Sequence, residues 1–312
     1  MDIATTTKTG HVTMDDPLVP VPGDRVAGHA LGIDIGGTGV KAGLVDLSTG
    51  ELISDRVRER TPQPSTPTAV AATVASVVGK VLAGRTVPDD MPAGAGLPGV
   101  ITDGHIRTAA NIDRAWVDVS AEELLGTAIG RRVYAINDAD AAGVAEMFHG
   151  AGKGVTGTVL VLTIGTGIGS ALFIDGRLVP NCEFGHIELH GRDAETLVSG
   201  AARERRHRGW RRWARDFNGY LAHMEAYLWP DLIILGGGVS KELPRYKDWL
   251  VTRAPVKAAV HLNSSGIIGA AVAARYAARV DAAKADAERS DARRAPTRRR
   301  APARSDEVAA SD

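Results

Sequence analysis

The sequence predicts an α/β protein made of two similar lobes facing one cleft. Three observations carry this. Short runs rich in Val, Ile and Leu alternate with segments of helical period. An internal repeat joins Ile35–Asp46 to Ile164–Asp175 once one glycine is gapped, each copy reading strand, Gly/Thr turn, strand. The copies lie about 130 residues apart, far beyond a solenoid period, so they read as two like domains. Finally, a strand at Val133–Ile136 ends in Asn137-Asp138 where a helix begins, and open α/β sheets bind ligands at such strand ends.

Taken in order, Leu31–Ile35 reads as a buried strand, Gly36-Gly37-Thr38-Gly39 as a turn, Val40–Asp46 as a second strand and Glu51–Arg58 as a third. Pro67–Leu82 has apolar residues at helical spacing behind Thr66, a good N-cap. Gly94–Val100 is a short strand running into Pro98-Gly99. Ala121–Ile129 is a helix with Ser120 as N-cap and Glu123 at the capping-box position. Ala139–Phe148 forms an Ala-rich helix. The apolar stretch Val159–Ile174 is broken by Thr163, Gly165, Thr166, Gly167 and Gly169, so it reads as strands around a turn, not a membrane span. Asp231–Leu235 is a buried strand followed by three glycines and a helix start capped by Ser240.

Residues 1–28 read as a flexible arm, 29–136 as a small α/β domain completed by a helix near 267–280, 137–266 as a large α/β domain, and 281–312 as a disordered Ala/Arg-rich tail. Six arginines in Arg293–Arg304 give a solvated tail or a polyanion-binding arm.

Composition narrows the class. The 312 residues are 44% hydrophobic, which excludes full disorder, and 4% aromatic, so the core must be aliphatic. Lys plus Arg equals Asp plus Glu at 37 each, which argues against a generally basic nucleic-acid binder but hides local patches. The single cysteine, Cys182, excludes an internal disulfide and a Cys-rich zinc site. The N-terminus has no apolar signal region, and the expectation is a soluble, cytoplasmic protein without membrane attachment.

The chemistry concentrates in a few motifs. Asp34-Ile-Gly-Gly-Thr-Gly-Val-Lys41 and Gly165-Thr-Gly-Ile-Gly169 are hairpin tips whose small residues let backbone N–H groups approach anionic oxygen. Facing each other, Gly36, Gly37, Thr38, Gly39 and Lys41 with Gly165, Thr166, Gly167 and Gly169 would clamp a phosphate chain. Asp34 would hold a hydrated Mg²⁺ beside them. Asp138 can act as a general base at a strand end, the alternative being a plain helix N-cap at Asn137-Asp138. Asn111, together with Glu183, His186, Glu188 and Glu195, supplies the side chains that bind a polyhydroxyl ring. A zinc site on Glu183, His186 and Glu188 falls short of the four ligands, often Cys, that a structural site takes; Cys182 alone does not supply that set, whereas His190 could add a ligand. Gly236, Gly237 and Gly238 offer a floor for a base or phosphate, or simply a tight turn. Arg203–Arg215 holds seven arginines with Trp210, Trp213, Phe217 and Tyr220 interleaved. It reads as a helix with an aromatic core face and a solvated basic face, or as a track for a polyanion through Arg205, Arg206, Arg211 and Arg212. Interleaved aromatics also suit single-stranded nucleic acid, but the sugar and phosphate motifs explain a polyanion without bases.

In this order Asp34-x-Gly-Gly-Thr-x-x-Lys41, Leu97-Pro98-Gly99, Asn137-Asp138-Ala139, Gly165-Thr-Gly-x-Gly169, Glu183-x-Gly-His186 and Leu235-Gly-Gly-Gly238 resemble ROK-family sugar kinases, most of all the actinobacterial polyphosphate glucokinase branch. The similarity spans about residues 30–280. It implies an actin-like, ribonuclease-H-like two-domain sugar kinase fold with a central cleft, and a homodimer. It implies transfer from inorganic polyphosphate or ATP to the 6-hydroxyl of glucose with Mg²⁺, Asp138 as base, and Asn111, Asn137, Glu183, His186 and Glu195 as sugar contacts. Many members carry a Cys-rich zinc loop between the His and the last Glu. Here Leu189–Ala194 has no cysteine, so no zinc is expected and His186 is left as a hydroxyl partner.

Three functions compete. The first is a glucose kinase using polyphosphate, ATP or both, with a strictly ATP-dependent glucokinase or another hexose kinase as its variant. The second is a sugar-responsive regulator, for which Met1–Gly28 shows no helix-turn-helix pair. The third is a non-catalytic sugar- or polyphosphate-binding protein, against which Asp138, Asp34 and both tips argue. The expected partners are glucose and a polyphosphate or ATP donor, with no nucleic acid.

Overall fold

A computed structural model describes residues 27–109 and 111–294. The strands are β1 (His29–Gly36), β2 (Gly39–Asp46), β3 (Glu51–Leu52), β4 (Val57–Glu59), β5 (Ala93–Leu97), β6 (Ile101–Thr102), β7 (His105–Ile106), β8 (Val133–Asn137), β9 (Thr158–Ile164), β10 (Ile168–Ile174), β11 (Arg177–Val179), β12 (Glu188–Leu189), β13 (Arg192–Asp193), β14 (Leu232–Gly236) and β15 (Val256–Ala258). The helices are α1 (Pro67–Leu82), α2 (Ala121–Ile129), α3 (Asp138–His149), α4 (Glu195–Val198), α5 (Gly200–Arg205), α6 (Trp210–Leu228), α7 (Gly237–Ser240) and α8 (Ser265–Arg294).

The internal repeat is a repeat of topology. One sheet runs β3-β2-β1-β5-β8, with β4 also on β2; the other runs β11-β10-β9-β14-β15. Each opens with an antiparallel hairpin, β1/β2 or β9/β10, whose first strand then pairs in parallel with a later strand, β5 or β14.

Side-chain alternation makes each central strand serve two cores. On β9, Leu160, Leu162 and Ile164 face α4 and α6, while Val159 and Val161 join α3, α8 and residues of the other sheet. On β1, Leu31, Ile33 and Ile35 pack with α1 and α2, and Ala30 joins the middle core. The order of layers is therefore α1/α2, sheet, α3/α8, sheet, α6. Close contact in the middle layer depends on missing side chains. A Cβ on Gly32 would fall 2.0 Å from the Ile267 carbonyl oxygen, and one on Gly269 would fall 1.6 Å from that of Ala141. Residues 267–272, within the helix expected near 267–280, thus pack with residues of both sheets.

Several sequence expectations hold and others change. Thr66 and Ser120 cap their helices, accepting from the backbone N–H of Ala69 and Glu123. The third strand, expected over Glu51–Arg58, is two short strands on β2 separated by a bend. Ser240 does not cap a helix start: it ends α7 and its hydroxyl donates to the Gly237 carbonyl. The tail expected to be disordered from 281 is helical to Arg294, with residues from Arg279 forming a unit of their own. The arm at 1–26 and the arginine run beyond Arg294 lie outside the described residues. No described helix is long and apolar enough to cross a membrane.

Candidate active site

The two hairpin tips, the start of α3 and the segment around Glu183 enclose a cavity of about 600 Å³. It is lined by all six expected sugar contacts, Asn111, Asn137, Asp138, Glu183, His186 and Glu195. Of the expected phosphate-binding residues, Gly37, Thr38, Gly165, Thr166, Gly167 and Gly169 line it. Asp34, Gly36, Gly39 and Lys41 stand in the hairpin strands below the first tip, where Asp34 and Lys41 are register partners on β1 and β2. Lys41 Nζ donates to Asp34 Oδ2 at 2.6 Å.

Asn137 is the N-cap of α3. Its Oδ1 accepts from the backbone N–H of Ala139 and Asp140, and its Nδ2 donates to the Gly99 carbonyl. The cap reading therefore holds for Asn137, and one amide hydrogen remains for a ligand. Asp138 follows as the first helical residue. Burial, reinforced by the charges of Asp34 and Glu183, pushes its carboxyl up to about 7, against the lowering by the Ala139 N–H. Asp138 and Glu183 thus share the cavity wall, with Asp34 acting on Asp138 from the hairpin strand beneath, and a carboxyl poised near neutrality is suited to exchange protons there. Burial likewise raises Glu183.

Asp140 escapes a motif search, because it resembles an ordinary first-turn acid. It is 1% exposed, its Oδ2 accepts the Asn181 backbone N–H at 2.8 Å, and burial pushes it up to about 8. Asn181 in turn bonds both backbone groups of Ile101. Burial raises the thiol of Cys182, on the cavity wall, to about 11, which favours its protonated form.

Past the cavity's far end, Glu188 pairs with Asp193 in the β12/β13 hairpin and lies outside the cavity. Of the sequence grouping Glu183, His186 and Glu188, only Glu188 leaves the cavity: Glu183 Oε2 lies 4.0 Å from His186 Nε2, and Asp193 joins the group at 2.8 Å from Nδ1. The hydrogen bond to Asp193 leads the factors that raise the His186 imidazole. Among the described residues, His186, Asp193 and Glu195 form the group of acidic and imidazole ligand atoms lying within 4.8 Å of one another.

A second cavity of about 340 Å³ adjoins the first and shares Gly165 and Thr166 with it. Its walls include Arg203, Trp210, Gly238 and Arg245. The Arg203 guanidinium sits 4.1 Å from the Trp210 ring centroid and that of Arg245 5.7 Å. Gly237 lines the first cavity with φ +72°, and a Cβ there would meet the Ile164 carbonyl at 2.5 Å; Gly236 lines neither. The glycine triplet is thus a tight turn at Gly237 and an open wall at Gly238.

The arginine segment is not one helix. It comprises the end of α5, a turn, and α6, whose Trp213, Phe217 and Tyr220 are fully buried. Arg205, Arg206, Arg211 and Arg212 line neither cavity. The residues that do are Arg203, from the same segment, and Arg245, about which the sequence carried no signal.

Residues 30–204 match the ROK family. The chain is 44% identical over 269 residues to a polyphosphate glucokinase of Mycobacterium tuberculosis (strain CDC 1551 / Oshkosh), covering 86% of this chain and 97% of that protein. To the polyphosphate glucokinase of Mycobacterium leprae (strain TN) it is 42% identical over 266 residues, 84% of this chain and 80% of the relative. Among solved structures, the inorganic polyphosphate/ATP-glucomannokinase from Arthrobacter sp. strain KM superposes with a TM-score of 0.76 at 47% identity, over 80% of this chain and 99% of that one. A ROK family glucokinase from Streptomyces griseus, in complex with glucose and AMPPNP, superposes with a TM-score of 0.67 at 27% identity, over 80% and 99%.

Proposed function

This chain belongs to the ROK family, and from that premise we propose that it is a glucokinase transferring a phosphoryl group from inorganic polyphosphate or ATP to the 6-hydroxyl of glucose. The observation that carries the reading is the meeting of Asp138 with both Gly/Thr tips around one cavity. A base, a sugar-binding wall and a phosphate cradle then stand around one open cleft.

Asn111, Glu183, His186 and Glu195 hold the sugar hydroxyls, with Asn137 contributing its remaining amide hydrogen. Asp138 accepts the proton of the 6-hydroxyl as its oxygen attacks the terminal phosphorus in line; the bridging P–O bond breaks and the shortened polyphosphate, or ADP, leaves with the bridging oxygen. Gly37, Thr38 and the Gly165–Gly169 tip hold the phosphates through backbone N–H and hydroxyl groups, so catalysis is chiefly positioning and electrostatics. The Lys41–Asp34 pair anchors the first tip.

Asp34 also suits a hydrated Mg²⁺. Only its Oδ2 is engaged by Lys41, and among the described residues no cage of three acidic or imidazole groups includes it, so binding through water is the fitting mode. When bound, Mg²⁺ would spread the charge of the donor phosphates.

The second cavity takes the rest of the donor. Arg203 and Arg245 flank Trp210 there, which suits either further phosphates or a stacked base. Arg205, Arg206, Arg211 and Arg212 remain a solvent-facing extension for long chains. Residues 29–136 and 137–266 are the lobes on either side of the cleft, and a cytoplasmic homodimer completes the reading.

The test is glucose 6-phosphate formation by the purified protein, comparing ATP with long-chain polyphosphate at equal phosphate concentration. Product with either donor supports the kinase, and product with ATP alone rejects the polyphosphate donor. No product with either rejects the function.

A further inference from the structure

We infer that Asp193 is a positioning residue that fixes the tautomer and direction of His186, and through its second oxygen the place of Glu195, for reading sugar hydroxyls. The inference rests on the sugar-kinase reading of the same cavity.

The geometry is specific. Asp193 closes the β12/β13 hairpin opposite Glu188. Its Oδ2 lies 2.8 Å from His186 Nδ1, and its Oδ1 accepts the backbone N–H of Glu195 at 3.0 Å. Its carbonyl accepts the Thr196 hydroxyl at 2.7 Å, and the next residue, Ala194, donates its N–H to Ile187. One carboxylate thus ties together the two expected sugar contacts at this end of the cavity, and the hairpin holds that carboxylate in place.

An ionised carboxylate only accepts hydrogen bonds, so His186 must carry a proton on Nδ1. Its Nε2, 4.0 Å from Glu183 Oε2, is then the atom left for a ligand. In the neutral ring Nε2 is an acceptor beside a carboxylate acceptor. Two neighbouring acceptors match two neighbouring hydroxyl donors, as on a sugar ring. Without Asp193 the ring is free to place its proton on Nε2 and to turn, and the match is lost. Glu195 Oε2 is itself occupied, accepting the Ile168 N–H at 3.3 Å, so the group already has hydrogen-bond partners without a metal ion.

The experiment combines nitrogen–proton correlation NMR of the imidazoles with steady-state kinetics on the full chain. His186 is assigned by its absence in His186→Gln, and spectra are taken above the imidazole titration range. In the parent, Nδ1 of His186 should carry the proton. In Asp193→Ala the proton should move to Nε2 and KM for glucose should rise about tenfold, the loss of one charge-assisted hydrogen bond, with the donor KM unchanged. Asp193→Asn leaves one acceptor oxygen where the carboxylate uses two, so it can serve the His186 Nδ1 proton or the Glu195 N–H but not both, and its glucose KM should fall between those of the parent and Asp193→Ala. A merely structural role would lower stability without moving the tautomer. An unchanged tautomer in folded Asp193→Ala overturns the inference, as does one bound equivalent of zinc in the purified parent with Nδ1 unprotonated. Failure of the parent to phosphorylate glucose would instead overturn the kinase reading, while the NMR result would still report on the dyad.

Discussion

The side chain of Asn181 holds both backbone polar groups of Ile101, accepting the N–H at Oδ1 and donating from Nδ2 to the carbonyl, each at 2.8 Å. The two residues are 80 apart in sequence. Asn181 adopts φ +61°, a conformation Asn tolerates better than most residues, and its own N–H goes to Asp140. The loop after β5, with Pro98 and Gly99 on the cavity wall, is thereby fastened to the segment carrying Cys182 and Glu183. Asn181→Ala should raise KM for glucose about tenfold and cost about 1–3 kcal/mol of stability, the penalty for stranding paired polar groups. Glucose titrations and denaturant unfolding check both.

Asp138→Asn should lower kcat by about 10²–10⁴, the usual worth of a general base, with glucose binding retained. Near-normal turnover would remove Asp138 from that role. Binding is read separately by calorimetry.

The raised carboxyl of Asp138 gives the activity a pH signature. The base must be ionised, and its folded value is about 7. kcat/KM should therefore fall about tenfold per pH unit below that value. A profile flat down to pH 5 would contradict it.

Stability should run the other way. Asp138 and Asp140 are both raised by burial, whereas an unfolded aspartate titrates near about 4. The contribution is fully present below that unfolded value and is lost as pH rises through about 7 and about 8, because the folded state then carries buried charge. Asp140→Asn keeps an acceptor for Asn181 and removes one charge. Its melting temperature should fall less than the parent's between pH 6 and 9, as thermal unfolding across that range would show.

Arg203→Ala with Arg245→Ala should raise KM for the donor about tenfold and leave KM for glucose unchanged, since both guanidinium groups line the second cavity alone. Replacing Arg205, Arg206, Arg211 and Arg212 with Ala should weaken only long-chain polyphosphate. Equal losses on ATP and polyphosphate would reject the outer track.

The sequence by itself determined the local elements and the identity of the central groups. Period-two and period-3.6 patterns, Thr66 and Ser120 at helix starts, and the twin Gly/Thr hairpins are each written within a few residues, because backbone conformation responds to near neighbours. The six residues expected to contact a sugar were legible for the same reason, each sitting in a compact motif that the fold then gathers around one cavity. Only the tertiary structure decided which distant groups meet. Asp34 lies beside Asp138 and helps raise its carboxyl, Arg245 joins Arg203 at Trp210, and Asp193 rather than Glu188 reaches His186. These approaches depend on how sheets and helices stack. That stacking is set by backbone contacts such as Gly269 on Ala141, and no local pattern in the chain encodes which element a glycine will meet.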